Sequence, residues 1–124
     1  MKYLCLVYYD ETQMAQLSQQ EWDALNRECM SCVEGLQNQG HFLDGAPLHP
    51  VASATTIRIR NNQVSTMDGP FAETKEQLAG YYLLEAKDLN EAIQLAERIP
   101  PARYGSVEVR PVRELMAEGN VSYA

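Results

Sequence analysis

Two histidines, three cysteines and one tryptophan are all that 124 residues hold of those types, and each scarcity closes off a class of chemistry. An odd cysteine count argues against a disulfide framework. Cys29 and Cys32 stand in C-x-x-C spacing, but no second such pair and no His pair completes a zinc site. They fall in the middle of a helical stripe, whereas thioredoxin-type pairs sit at a helix N-terminus, where the dipole lowers the thiol pKa. This pair therefore reads as core packing. Basic residues are also few: ten against seventeen acidic ones, a formal charge of −7. A surface of that sign repels phosphate backbones, so no nucleic-acid partner is expected. No apolar run approaches the roughly 20 residues that span a bilayer, and none follows a signal-peptide pattern, so no membrane association and a cytoplasmic location are expected. A glycine-rich phosphate loop, a serine elbow and a metal-spaced His/Cys/Asp cluster are all missing. Neither a cofactor nor a metal is expected.

What is present is a chain of globular composition, 45% apolar, of a length suited to one core. Residues 2 to 9 predict a strand. Ser18 with Glu21 three residues later predicts a capped helix start, and Trp22, Leu25, Cys29, Cys32/Val33 and Leu36 its apolar stripe. Gly40 is expected to end that helix, and Phe42 to Ala46 to form a short strand. Thr55 to Arg60 alternates, Asn61-Asn62 tolerates positive φ, and Gln63 to Met67 returns as the second arm of a β-hairpin. Leu78 to Ala86 predicts a strand and Asp88, with Glu91 again three residues on, a helix cap, with Leu89, Ala92, Ile93, Ala96 and Ile99 as the apolar face of that helix. Pro100-Pro101 stops it, and Ser106 to Val112 is the last strand. The order is that of an α+β, ferredoxin-like (split βαβ) domain with an inserted β-hairpin. It covers residues 1–113 and leaves 114–124 as a C-terminal tail.

The two strands expected at the sheet centre are apolar on both sides. Tyr3, Cys5 and Val7 alternate with Leu4, Leu6 and Tyr8, and Tyr81 and Leu83 with Tyr82 and Leu84. Two helices cover one face only. The other is expected to be covered by a second copy, giving a homodimer.

The run Asp68-Gly69-Pro70-Phe71-Ala72-Glu73-Thr74-Lys75-Glu76-Gln77-Leu78-Ala79-Gly80-Tyr81-Tyr82-Leu83 closely resembles the signature of DGPF-domain proteins of the YCII-related superfamily. Ala54-Thr55-Thr56-Ile57-Arg58, Val107-Glu108-Val109-Arg110-Pro111-Val112 and Met1-Lys2-Tyr3 resemble it too, so the likeness spans residues 1 to 113. It implies a ferredoxin-like dimeric α/β barrel. For the wider superfamily it implies a His-Asp dyad in a cleft, with dehalogenation-like or hydrolytic chemistry in one branch. It also implies a genomic association with extracytoplasmic-function sigma factors.

Asp68 is the leading candidate for chemistry. It closes a strand before the rigid Gly69-Pro70 turn, where a carboxylate beside an aromatic sheet face suits an acid/base role. The structural alternative is that Asp68 caps the turn through backbone N–H groups while Phe71 plugs the core. Tyr81 and Tyr82 point to opposite faces, so one of them can wall a ligand cleft. Arg103 and either Arg58 or Arg60 on the hairpin are candidates to hold an anionic ligand, and Lys75, after the turn, to line the mouth of the cleft. His41 and Asp44 sit on opposite faces and His49 lies in a loop, which separates the residues of any dyad. Two functions fit these residues. One is a small-molecule-binding protein or enzyme with a cleft near the dimer interface, using Asp68. The other is a non-enzymatic regulatory module linked to sigma-factor-dependent transcription.

Overall fold

The computed structural model describes residues 1–119. Strand β1 (Lys2–Tyr9) is followed by a short helix α1 (Glu11–Met14), the long helix α2 (Gln19–Asn38) and strand β2 (Phe42–Pro47). Strands β3 (Thr55–Arg60) and β4 (Gln63–Asp68) come next, then β5 (Gln77–Glu85), helix α3 (Leu89–Ala96) and β6 (Ser106–Pro111). Four strands form one antiparallel sheet in the order β2-β5-β1-β6, while β3 and β4 pair as a separate two-stranded sheet. The result is a mixed α+β arrangement compatible with the ferredoxin-like plan, with β1 and β5 at the sheet centre.

Local chemistry accounts for most boundaries. The Ser18 hydroxyl accepts from the Glu21 N–H at 3.1 Å and the Glu21 carboxylate accepts from the Ser18 N–H at 3.0 Å, a complete capping box. Gly40 takes φ +80° just past the helix end, where residues with a Cβ are strained. Asn61 and Asn62 take φ +52° and +62°, the primed-turn conformation whose twist matches the hairpin strands. Three local features differ from the sequence expectations. Asp10 caps the unexpected α1 by accepting from the Thr12 N–H at 2.9 Å. The Asp88 cap forms, but the Glu91 carboxylate reaches the N–H of Lys87 instead. Finally, α3 buries Ala92, Leu95 and Ala96 and leaves Leu89 and Ile93 exposed. Ala92, Ala96 and Ile99 of the expected face are buried, and the sheet selects Leu95 rather than Leu89 and Ile93 to complete it.

Both long helices pack on one face of the sheet. Tyr3, Cys5 and Val7 of β1 and Leu84 of β5 meet Leu36 of α2, Leu95 and Ala96 of α3, and Ile99 in a single buried cluster. On the opposite face lie Leu4, Leu6 and Tyr8, beside Leu83 and Tyr81 on β5 and Arg110 and Glu108 on β6. The five apolar and aromatic side chains there are half-buried and stand outside the core cluster. From Val112 to residue 119 the chain has no helix or strand. The remainder of the expected tail, residues 120–124, lies outside the described residues. Among the described residues no helix is long and apolar enough to cross a membrane.

Candidate functional site

Helix α2 does not seal the sheet along β2 and β5, and a groove of about 840 Å3 opens between them. Its floor is made of Gly45 and Ala46 on β2 and Ala79 and Gly80 on β5. Small residues there are enforced by the backbone. A Cβ on Gly45 would meet the Tyr81 carbonyl at 2.9 Å, and one on Gly80 the Ala46 carbonyl at 2.9 Å. Two irregularities frame this floor: the β1–β5 register slips between Val7 and Tyr8, opposite Ala79, and the β2–β5 register slips at Leu43. Bulges of this kind bend strands and recur beside binding sites.

The wall is the face of α2 carrying Trp22, Leu25, Cys29 and Val33, with Met30 at the lip. Tyr9, at the end of β1, and Pro101 close one end, and Phe42 and Tyr82 the other side. The rings of Phe42 and Tyr82 stand edge to face, 6.2 Å between centroids and 89° between planes, which fixes the Tyr82 ring. Burial raises the pKa of the Tyr82 hydroxyl, with a further rise from the neighbouring cysteines. Burial likewise raises the Tyr9 hydroxyl, helped by Glu11, and the Cys29 thiol, helped by Cys32 and Glu28 and opposed by Arg103. All three are protonated at neutral pH and can donate a hydrogen bond without carrying charge. An exposed carboxylate, Glu34, stands at the rim, and among the described residues no Lys, Arg or His lines the groove.

Of the candidate site residues singled out by the sequence, Tyr82 alone lines this groove. Tyr81 points to the opposite face, where its hydroxyl donates to the Asp44 carboxylate at 3.1 Å. Asp68 ends β4, fully at the surface. Its turn is held by other groups: the Gly69 N–H donates to the Ala54 carbonyl at 2.7 Å, and the Thr56 hydroxyl to the Gly69 carbonyl at 2.8 Å. Among the described residues the Asp68 carboxylate has no hydrogen-bond or ion-pair partner. Phe71 is 72% exposed and plugs no core. The turn-cap alternative is thus corrected on both counts, because Gly69 at φ +100° closes the turn through the backbone. Arg58 on β3 donates to the Phe71 carbonyl at 3.4 Å, and Lys75 is exposed in the loop before β5. Arg103 lies on the other side of α2, paired with Glu28 at 2.5 Å and 5.8 Å from the Tyr104 ring. His41 engages the Glu85 carbonyl at 2.8 Å while Asp44 engages Tyr81, so His41 and Asp44 form no dyad, and His49 is exposed in its loop. Among the described residues no three His, Cys, Asp or Glu side chains group as metal ligands.

The YCII-related domain matches residues 1–116. This chain belongs to the YCII-related family. A relative from Rhizobium meliloti (strain 1021), an uncharacterised protein, is 37% identical over 114 residues, covering 90% of this chain and 92% of its own length. Membership extends over every strand and helix described above, so the groove lies wholly within the YCII-related domain.

Sequence reasoning missed Tyr9, Trp22 and Cys29 as site residues because each also fits a core stripe. The usable signal was the pair of strand-interior glycines, Gly45 and Gly80, whose missing side chains leave the floor low.

Proposed function

We propose that this YCII-related protein binds a small, flat, mainly apolar molecule in the groove beneath α2. The observation that carries the proposal is the opening of about 840 Å3 walled by aromatic rings over a floor of glycine and alanine. Ligand sites in this size range are apolar with a few well-placed polar groups, and the Tyr9, Tyr82 and Cys29 hydrogens supply those here. The half-buried Leu4, Leu6, Tyr8, Tyr81 and Leu83 on the far face support a homodimer of the α/β-barrel kind, built by apposing two sheets. The DGPF signature and its hairpin, read as an insertion in the ferredoxin-like plan, belong to the same proposal. Asp68 enters it as the acid/base candidate, an unpartnered carboxylate at the foot of that hairpin. Tyr81, Arg58, Arg103 and Lys75 lie outside this groove and do not touch its ligand; they belong to a separate proposed cleft at the dimer interface.

Cys29→Phe tests the groove by filling it from a half-exposed helix position. Binding of an apolar probe, followed through the fluorescence of Trp22, is expected to be lost while the circular dichroism spectrum stays native. Retained affinity would show that the groove is not the site. Asp68→Asn is expected to abolish any turnover found by substrate screening, and an unchanged rate removes Asp68 from the chemistry. A second reading, an interaction module tied to sigma-factor-dependent transcription, draws support from Ile57, Ile59 and Val64, each more than 60% exposed on the hairpin. It predicts that Ile59→Asp breaks co-purification with a transcription factor and leaves probe binding intact.

A further inference from the structure

Building on the groove as a ligand site, we infer that it takes planar molecules that are neutral or positively charged and rejects anionic ones. Helix α2 separates the two kinds of charge. Arg27, Arg98 and Arg103 line the shallow surface on its other side, where Arg103 is held by Glu28 and Arg98 donates to the Gln39 amide oxygen at 2.6 Å. None of the three lines the groove, although the charge of Arg103, already paired with Glu28, is felt at Cys29.

Every ionisable group that lines the groove is an acid: Tyr9, Cys29 and Tyr82 in the interior and Glu34 at the rim. A carboxylate or phosphate placed there would give up its hydration with no cation to pair with, a loss that neutral hydrogen bonds offset only in part. It would also meet the Glu34 carboxylate and the field of a chain with net charge −7. A cation meets the opposite situation. Trp22, Tyr9, Phe42 and Tyr82 all line the groove, aromatic rings attract positive charge to their faces, and Glu34 offers a counter-charge at the mouth. A neutral ring gains the apolar contact and neither electrostatic term. The polarizable sulfurs of Cys29 and Met30 further favour aromatic ligands.

The test is a matched series carrying one phenyl ring and one four-carbon chain: 4-phenylbutanol, 4-phenylbutylamine and 4-phenylbutyrate. Each is titrated against the full chain, with Trp22, the single tryptophan, as fluorescent reporter and calorimetry as a second readout. The alcohol and the amine are expected to bind, and the carboxylate to bind at least about tenfold more weakly than the alcohol. Glu34→Gln is expected to lower the amine-to-alcohol affinity ratio. Carboxylate affinity equal to or above that of the alcohol overturns the charge inference and leaves the groove standing as a site. Absence of binding by all three probes removes the groove itself, and the inference with it. A Trp22 signal that changes with protein concentration and ignores the probes shows a second copy filling the groove, which also overturns the inference.

Discussion

Leu83 and Leu84 are neighbours on β5 that face opposite sides of the sheet, and replacing each by alanine separates the packing of one protomer from association of two. Leu84 is 0% exposed within the cluster of Tyr3, Leu36 and Ile99. Truncation there leaves a cavity among groups fixed by two helices, so Leu84→Ala is expected to cost about 3 kcal/mol. At about 4 °C per kcal/mol for a domain of this size, Tm falls by about 12 °C at any protein concentration. Leu83 lies half-buried on the far face, opposite Leu4. Part of its surface is already packed within the protomer, but it stands outside the buried cluster, so Leu83→Ala is expected to cost about 1–2 kcal/mol there, less than Leu84→Ala. If the far faces meet in a dimer, each dimer loses two such side chains. A loss of about 2.8 kcal/mol across the interface then weakens the dimer about a hundredfold. Circular dichroism melts at two protein concentrations a hundredfold apart, with sedimentation velocity on the same samples, read both quantities. The expected pattern is a large, concentration-independent Tm drop for Leu84→Ala, and a small drop for Leu83→Ala that grows on dilution with the loss of dimer. Equal, concentration-independent drops for the two variants, or a wild-type protein that sediments as a monomer at micromolar concentration, would refute the assignment of the far face.

Two further outcomes follow from local features. Ser18→Ala removes the hydroxyl that accepts from Glu21 and is expected to cost about 1 kcal/mol in urea denaturation. The same box holds the Glu21 carboxyl below its usual range, through the Ser18 N–H and then the Ser18 hydroxyl. Because its folded pKa is depressed, the stabilisation is present above the ordinary carboxylate pKa and fades as pH falls through the lowered one, so the gap between wild type and variant narrows in acid. Burial pushes the Cys5 thiol from 9.0 up to about 11. The folded state holds this proton longer than the unfolded chain does, so the Cys5 contribution is complete below pH 9.0 and is lost as pH rises to about 11. Cys5→Ala is expected to flatten that part of the stability-versus-pH curve, and an unchanged alkaline slope would contradict it.

The sequence alone determined the parts whose causes are local. Ser18-x-x-Glu21, Gly40 and Asn61-Asn62 each act within a turn or two of their own position, and the structure follows them closely. The alternation of β1 and β5 likewise told which side chains share a face, since a strand reverses its side chains at every residue. The apolar face of α3 was settled only in part: Ala92, Ala96 and Ile99 are buried as expected, while Leu95 is buried in place of Leu89 and Ile93, a choice that the sheet beneath makes. The groove was decided by tertiary structure alone. It is a gap between α2 and the β2–β5 edge, bounded by Tyr9, Trp22, Gly45 and Gly80 from four separate elements, and its volume depends on how closely those elements approach. Hydrophobic patterning reports that a side chain turns inward; whether it meets another side chain or an opening depends on the opposite wall, and that wall lies elsewhere in the chain.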